Sequence, residues 1–329
     1  MRTRRSTSSS DPGSSPLDVA QGKGHRSVLL HEAIDLLDIQ TDDTVVDATL
    51  GGAGHARELV QRLGTQGIFI GFDLDRDAIE RAKTILEATP LGSEGVASGP
   101  TLHFVESNFR HLDEALVKLD IKTIDKALFD LGWSSFQLDA GRGFSFLTDE
   151  PLLMTYSKDE SALTARTIVN EWSEESLADI IYGWGEERYS RRIAKAIVER
   201  RQKRQFETSR ELAEAIKAAV PPAYRFGRIH PATKTFQALR IAANDELGAL
   251  KEGIRAAWKL LEDGGRIAVI SFHSIEDREV KRLFAELAKN SGRLVVKKPV
   301  IASIQELREN PRARSAKLRV IEKIEASTD

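Results

Sequence analysis

The junction between a short apolar segment, Thr44 to Asp47, and the glycine cluster Gly51 to Gly54 constrains the fold of this chain more than any other feature. An amphipathic stretch follows from about Ala56, so the sequence predicts a strand, a tight turn and a helix. In such a turn the glycines let a ligand lie against bare backbone, and the helix N-terminus presents N–H groups to it. A second apolar run ends at Asp73, about 20 residues beyond the turn, where nucleoside-binding α/β folds place the acceptor for the ribose hydroxyls. The pair predicts a nucleoside-containing cofactor.

The order of the glycines distinguishes between such cofactors. A dinucleotide fingerprint requires a third glycine where Arg57 stands, which disfavours NAD and FAD. S-adenosylmethionine has no pyrophosphate, so an aspartate followed by a turn that allows close backbone approach is sufficient, and residues 47–54 have this form. An ordinary glycine-rich turn of a doubly wound domain, without a ligand, is the alternative.

The absence of cysteine from all 329 residues excludes several kinds of chemistry. Disulfides, thiolate zinc sites and cysteine-held iron–sulfur clusters are ruled out. Covalent addition of a thiol to a pyrimidine carbon is ruled out as well, so any methyl transfer goes directly to a nitrogen or an oxygen. No metal site is predicted. No apolar run approaches the roughly 18 residues of a membrane span, and with a net charge of −2 any surface for nucleic acid must be local.

Strands and helices alternate in the first part of the chain. Residues 1–24 are rich in Arg, Ser, Gly and Pro without an apolar period, which predicts a disordered leader. Apolar runs separated by amphipathic stretches then predict a parallel sheet. Polar or aromatic residues follow successive strands, at Asp47, Asp73, Asn108-Phe109 and Asp130. Because the carboxyl ends of parallel strands meet at one edge of the sheet, these residues predict a cofactor crevice.

The alternation stops at Ser134 and returns near His230. Between them the sequence predicts helices at Ala162–Asn170, Glu174–Tyr182, Glu186–Arg204 and Ser209–Val220, and its N-cap candidates are Ser173, Thr208 and Ser209. After them it predicts a long helix from Phe236 to Leu261, a strand at Arg266–Phe272, a helix from Ile275 and a strand at Leu318–Ile324. The predicted fold class is therefore α/β, a Rossmann-like methyltransferase sheet with a helical insertion. The expected division is a leader at 1–24, a core formed by 25–135 and 225–329, and a helical insertion at 136–224.

The insertion carries a local excess of positive charge. Between Arg188 and Arg240 there are fourteen Lys or Arg against four Glu. Arg188, Arg192 and Lys195 are predicted to share one helix face. The segment fits a surface that follows RNA phosphates, with Tyr224 and Phe226 interleaved among the cations. A solvated helix whose terminal cations complement the helix dipole is the alternative.

Several motifs resemble one family, the bacterial and organellar methyltransferases that modify the N4 amine of a decoding-site cytidine in small-subunit ribosomal RNA, called RsmH or MraW. The similarity extends from His25 to about Lys323, and its most specific segments are His230–Arg240 and Ser271–Arg278. The other matching segments are His25–Leu30, Asp47–His55, Gly71–Asp77, Asn108–Phe109, Leu128–Asp139, Arg142–Phe146, Gly185–Arg188, Asn244–Leu247 and Asn310–Ser315.

The resemblance implies a methyltransferase fold of the seven-strand type, S-adenosylmethionine as cofactor, and 16S rRNA in the small ribosomal subunit as partner. It also implies a cytoplasmic location, and it leaves the oligomeric state open, with a homodimer as one alternative. The implied cofactor contacts are Ala53, Gly54, His55, Asp73, Phe109, Asp130 and Gln137. The family pattern is altered at Phe136 and between Leu153 and Ser157, where two acidic residues and an arginine are replaced.

Asp130 is the candidate catalytic residue. A carboxylate that accepts an N–H of the cytosine amine favours a pyramidal nitrogen and takes up the developing charge. Trp133 is either a stacking face for the base or core, and His273 either orients the base or precedes a capping box formed by Ser274 and Asp277. Two other functions stay open, a non-catalytic RNA-binding or assembly protein and, less favoured, a NAD-dependent oxidoreductase.

Overall fold

The computed structural model describes residues 26–89, 99–132, 141–157, 159 and 161–325. The predicted leader and Gln137 therefore lie outside the described residues. Among those residues, none of the helices has the length and apolar content that crossing a bilayer requires.

The core of the fold is a seven-stranded sheet with the strand order β3-β2-β1-β4-β5-β7-β6. The first five strands pair in parallel, whereas β7 runs antiparallel to both of its neighbours, β5 and β6. The strand bounds are β1 Thr44–Asp47, β2 Ile68–Asp73, β3 Thr101–Glu106, β4 Ile124–Asp130, β5 Leu261–Ser271, β6 Gly292–Leu294 and β7 Lys317–Lys323. This topology confirms the predicted Rossmann-like α/β class.

Helices cover both faces of the sheet because its central strands are apolar on both sides. In β1, Val45 packs into one hydrophobic cluster and its neighbour Val46 into the other. The first face carries α1 Leu30–Leu37, α2 Gly54–Arg62 and α3 Arg76–Glu87. The second carries α4 Leu112–Lys118, α11 Glu246–Leu260 and α12 Ser274–Leu287. The loops at the carboxyl ends of the strands are therefore left to form a site.

The helical insertion folds around its own hydrophobic cluster, which runs from Phe144 to Ala242. Its helices are α5 Ala165–Glu171, α6 Glu174–Gly183, α7 Ser190–Arg201, α8 Ser209–Ala219 and the short α9 Pro222–Arg225. Ser173 and Thr208 cap α6 and α8 through side-chain oxygens, as their positions predict. Helix α10, Thr233–Asn244, packs into the same cluster through Phe236 and Leu239.

The predicted long helix from Phe236 to Leu261 is wrong, because the chain breaks at Asp245. This residue has φ +46°, in the left-handed region that Asp tolerates, and it separates α10 from α11. The preceding side chain anchors the break: Asn244 Nδ2 donates to the carbonyl of Met154 at 2.7 Å, and its Oδ1 accepts from the N–H of Tyr156 at 2.8 Å. The break joins the insertion to the core helix next to the site.

The start of β5 and the presence of β6 also differ from the sequence prediction. Strand β5 begins at Leu261 instead of Arg266, and a shift in register between Ile124 and Lys126 accommodates the residues around Gly264. The three-residue β6 was missed, since Gly292–Leu294 is short and polar and pairs only along β7. Helix α13, Ile304–Glu309, and a 3₁₀ helix at Pro311–Ser315 precede β7.

A candidate active site between the sheet and the helical insertion

A cavity of about 520 Å³ opens at the carboxyl ends of β1, β2 and β4. Strands β1 and β4 lie side by side at the point where the strand order reverses, which is where open α/β sheets bind ligands. The sheet contributes one wall. The insertion contributes an aromatic wall, made by Phe144, Phe146, Tyr156 and Phe236. The predicted crevice is therefore present, and the insertion closes its far side.

The glycine-rich turn forms the floor of this cavity on the sheet side. Gly51 has φ +48° and Ala53 has φ +59°, so two left-handed residues turn the chain into α2. A Cβ at Gly54 would collide with Ser27 Oγ, so the bare glycine lets the segment before α1 lie on the turn. Gly54 lines the cavity. Ala53 is completely buried and does not line the cavity, so its predicted contact with the cofactor stays a prediction.

Asp73, at the end of β2, is tied to the turn. Its Oδ2 accepts from the N–H of Gly51 and its Oδ1 from the N–H of Asp75, both at 2.9 Å. Burial raises the pKa of Asp73, and the two N–H donors oppose that rise. A carboxylate has about four acceptor positions, so Asp73 retains capacity for two ribose hydroxyls.

Phe109 lies between the cavity and the core. Its ring meets that of Phe129 edge to face, with centroids 5.5 Å apart and planes at 88°. A Cβ at Gly253 on α11 would lie 2.6 Å from Phe109 Cδ2, so this glycine makes room for the ring. Asn108 caps the short 3₁₀ turn Phe109–His111 by accepting from the N–H of Arg110 at 3.0 Å. The flat ring is thus held at the cavity wall.

Asp130 ends β4 with one carboxylate oxygen unused. Its N–H donates to Thr49 Oγ1 at 2.8 Å, so the turn after β1 holds the end of β4. Its Oδ2 lies 3.4 Å from His55 Nδ1. Its Oδ1 is buried and has no hydrogen-bond partner among the described residues. A buried acceptor without a partner is costly, so this atom fits a ligand that donates an N–H.

His55 and Asp47 lie behind Asp130 and form a buried charged group with it. His55 Nε2 is 3.1 Å from the carbonyl of Val28 and must donate to it, because a carbonyl only accepts. Burial opposes protonation of His55, but Asp130 and Asp47 outweigh burial and raise its pKa. Burial raises the pKa of Asp47 to about 6. Asp47 Oδ1 accepts from the N–H of Thr49 at 3.0 Å.

The insertion wall contains a polar network that no single motif predicted. Tyr156 donates its hydroxyl to Glu246 Oε1 at 2.8 Å, and Arg240 donates to both carboxylate oxygens of Glu246, at 2.8 and 2.9 Å. The Tyr156 ring stacks on Phe144 with centroids 5.7 Å apart. Burial raises the pKa of Tyr156 well above its usual value. The residue that departs from the family pattern at this position is thus built into the wall of the site.

His273 lines the cavity and caps helix α12. Its Nδ1 accepts from the N–H of Glu276 at 3.3 Å, and Nε2 lies 3.1 Å from Glu276 Oε1, so both ring nitrogens are engaged. The capping box therefore consists of His273 and Glu276. The predicted box of Ser274 and Asp277 was wrong by one residue, since the Ser274 hydroxyl donates to Glu186 Oε2 instead.

Three of these acceptors lie close enough to suggest a metal site. Ligand atoms of Glu246, His273 and Glu276 lie within 4.8 Å of one another. The Arg240 guanidinium already neutralises Glu246 with two charge-assisted bonds, and His273 Nδ1 is used by the helix cap. The cluster is better explained as an ion pair and a helix cap than as a cation site.

The basic segment between Arg188 and Arg240 differs in detail from its prediction. Arg188 precedes α7, so it does not share a helix face with Lys195, and its guanidinium lies over the rings of Tyr189 and Tyr224 at 4.8 and 5.1 Å from their centroids. The Tyr224 hydroxyl donates to Glu187 at 2.6 Å. Tyr224 is thus engaged internally, whereas Phe226 is 84% exposed.

Five of the residues implied by the resemblance line the cavity together, namely Gly54, His55, Asp73, Phe109 and Asp130. Gln137 and Trp133 lie outside the described residues, so their roles stay predictions. No role was predicted for Arg240 or Glu246, although both fall in segments that match the family. Their pairing depends on the break at Asp245, which periodicity does not reveal.

The comparisons with known proteins agree with this geometry. Residues 22–324 match the model of the MraW methylase family. The chain belongs to the MraW methylase family. It is 43% identical over 317 residues to the ribosomal RNA small subunit methyltransferase H of Clostridioides difficile strain 630, and the alignment covers 91% of this chain and 99% of that relative. It is 46% identical over 318 residues to the protein of the same name from Lactobacillus gasseri, again over 91% of this chain and 99% of the relative.

Membership also identifies the cofactor. Members of this methylase family depend on S-adenosylmethionine, as the sequence predicted. The residues present fit this cofactor: the bare turn at Gly54, the acceptor Asp73 and the flat ring of Phe109 follow one another along the cavity wall. The prediction of S-adenosylmethionine as the cofactor is therefore confirmed.

Proposed function

We propose that this protein transfers a methyl group from S-adenosylmethionine directly to the N4 amine of a cytidine in small-subunit ribosomal RNA, the decoding-site cytidine of 16S rRNA. The observation that carries the proposal is the buried Asp130 Oδ1, an acceptor without a partner among the described residues, in a cavity with an aromatic second wall. The names of the relatives support a ribosomal RNA substrate.

Each cofactor group has a matching residue in the sheet wall. The turn at Gly54 accommodates the methionine end, Asp73 accepts from the ribose hydroxyls and Phe109 packs against the adenine. The carboxylate of Asp130 favours the positive sulfonium beside it. When bound, the cofactor supplies an electrophilic methyl group.

The cytosine amine needs help because its lone pair is delocalised into the ring. Asp130 accepts an N–H of the amine, which favours a pyramidal nitrogen and offsets the positive charge that develops on it. The cavity orients the amine toward the donor, and this alignment removes much of the entropic barrier. The base must leave its stack to enter, and Phe144, Phe146 and Tyr156 offer it apolar faces.

The RNA strand approaches along the basic segment. Its excess of Lys and Arg attracts phosphates, and Phe226, exposed in the loop after α9, offers a face on which an unpaired base stacks. His230, at the end of this loop, stacks on Phe146 of the cavity wall at 4.6 Å between centroids. The loop therefore connects the exposed Phe226 to the cavity. We place this reaction in the cytoplasm, where small ribosomal subunits mature.

The test is methyl transfer from labelled S-adenosylmethionine to 30S particles that lack this modification, followed by mass spectrometry of the digested RNA. We expect N4-methylcytidine at the decoding site. Cofactor binding without transfer, on particles that a known active relative methylates, would support the non-catalytic RNA-binding alternative and would point to the altered segment between Leu153 and Ser157.

The proposed RNA-binding surface along the basic segment is tested separately. Phe226→Ala is expected to weaken binding to the particle by about tenfold, because base stacking on an aromatic contributes about 1–3 kcal/mol, while leaving cofactor affinity unchanged. Val117→Ala is the matched control, since Val117 is also strongly exposed, at 76%, but lies outside the insertion. Equal effects of the two variants on particle binding would refute the surface.

A further inference from the structure

Methylation of the cytosine amine releases one proton, and a group in the site must accept it. The N4 lone pair forms the bond to the methyl carbon, the methyl–sulfur bond breaks with its electron pair remaining on sulfur, and N4 must lose one proton. This inference rests on the proposed function. Asp130 takes the proton first, but a protonated Asp130 is no longer an acceptor for the next amine.

His55 is the group placed to receive that proton next. Its Nδ1 lies 3.4 Å from Asp130 Oδ2, and its Nε2 donates to the carbonyl of Val28 at 3.1 Å. In the neutral imidazole, the Val28 bond places the hydrogen on Nε2 and leaves the lone pair on Nδ1. That lone pair faces the carboxylate. The side chain is buried, so water does not compete for this position.

We infer that His55 is a positioning residue that receives, through Asp130, the proton lost by the cytosine amine. Asp130 accepts the proton on Oδ1, and a half-turn about its Cβ–Cγ bond brings the protonated oxygen to His55 Nδ1. The Asp130 carboxyl group can make this rotation because Oδ1 has no hydrogen-bond partner among the described residues. Asp130 is then ionised again, and His55 is an imidazolium that donates from both nitrogens.

The total buried charge stays the same through these proton transfers. Before transfer the groups that take part carry one positive charge on the donor and one negative charge on Asp130, with His55 neutral, and the other buried carboxylates do not change. Afterwards the donor is a neutral thioether, and the positive charge is on His55 beside Asp130. Since buried net charge is costly, moving the positive charge within the site is favoured over creating a new one.

The surrounding charges fit a histidine that changes its protonation state. Asp130 from β4 and Asp47 from β1 face the ring, and both raise the pKa of His55 against the effect of burial. Asp73 from β2 interacts with Asp47 rather than with the ring directly. A bound sulfonium adds a positive charge and so lowers the pKa of His55, whereas a neutral thioether does not.

The test compares wild-type protein bound to S-adenosylmethionine and to S-adenosylhomocysteine. The pKa of His55 is read by NMR of ¹⁵N-labelled histidine, without RNA. We expect this pKa to be about one unit or more lower with S-adenosylmethionine. The same pKa in both complexes would overturn the inference. The measurement does not depend on the RNA product, so a failure of the proposed function is seen separately, by mass spectrometry of the RNA.

A variant adds a kinetic readout. His55→Gln keeps an amide N–H that reaches the Val28 carbonyl but cannot take a proton. We expect its single-turnover rate at saturating cofactor to fall by about a hundredfold and its pH–rate profile to lose the limb that rises with deprotonation of His55. His111→Gln, at an exposed histidine outside the cavity, is the control. If His55→Gln kept the wild-type single-turnover rate and the same limb of the pH–rate profile, the inference would be overturned. If the variant does not fold, the NMR comparison on the wild-type protein still tests the inference.

Discussion

Gly253 on α11 gives a test of how the fold positions Phe109. A methyl group at this position would lie 2.6 Å from Phe109 Cδ2 and 3.2 Å from the Phe109 carbonyl oxygen. The ring has little freedom to move away, because Phe129 packs against it edge to face. Replacing Gly by Ala inside a helix normally adds about 0.8–1 kcal/mol of stability. Overpacking at a tight contact removes about 1–3 kcal/mol. We therefore expect Gly253→Ala to lower the free energy of unfolding by about 1 kcal/mol.

The same substitution should weaken cofactor binding. Displacement of Phe109 from the cavity wall by a contact of this size costs about 1.4 kcal/mol, or tenfold in affinity. Isothermal titration calorimetry with S-adenosylmethionine and thermal unfolding measure the two effects. Gly183→Ala is the matched control, because Gly183 also lies in a helix and a methyl group there meets no atom within 4 Å. Gly253→Ala behaving like Gly183→Ala in both assays would refute the placement of Phe109.

Three further substitutions test individual contacts. Ala53→Gly should stabilise the protein by about 0.5–1 kcal/mol in thermal unfolding, because Ala53 has φ +59°; a loss of stability would contradict the turn geometry. Glu246→Ala should cost about 3–5 kcal/mol, because it removes the carboxylate that pairs with the buried Arg240 guanidinium. Glu207→Ala, which removes an exposed pair with Arg166 at 3.1 Å, should cost less than about 1 kcal/mol. Equal costs would refute the burial of the Arg240–Glu246 pair. Asp47 has a folded pKa of about 6 against 3.8 in the unfolded chain. The folded state therefore holds more protons between these values, and the free energy of unfolding falls as the pH rises from 3.8 to 6. Asp47→Asn should reduce this pH dependence of the free energy of unfolding, measured by urea titration at several pH values. The same pH dependence as in the wild type would contradict the raised pKa of Asp47.

The parts of the fold that follow from local periodicity were predictable. The turn at residues 47–54 and the polar strand ends at Asp73 and Asp130 place the cofactor wall, because parallel strands direct their carboxyl ends to one edge. The sequence also predicted the caps of α6 and α8, since Ser173 and Thr208 act within three residues of their own position.

The second wall of the site was not predictable in the same way. The bond between Tyr156 and Glu246 joins residues 90 positions apart, and the bonds from Asn244 to Met154 and Tyr156 bend the chain at Asp245. These contacts exist only after the insertion has packed on the core. A helical period continues through Asp245, so the pattern predicted one helix where tertiary contacts make two.

The helix cap at His273 shows the same limit at shorter range. Ser274 and Asp277 have the spacing of a capping box, but Ser274 instead bonds to Glu186, and Asp277 pairs with Lys317 and Arg319 on β7. With those side chains engaged, His273 and Glu276 form the box one residue earlier. The local sequence pattern predicts the start of this helix to within one residue, and the long-range partners of Ser274 and Asp277 determine which residue forms the cap.

The central claim is that the Asp130 carboxylate accepts the amine proton of a cytidine. The most direct measurement is single-turnover methyl transfer to unmodified 30S particles by Asp130→Asn, with particle and cofactor binding measured on the same samples. The account predicts that particle binding is kept while formation of N4-methylcytidine slows by about a hundredfold or more. Formation of N4-methylcytidine at the wild-type rate would contradict it.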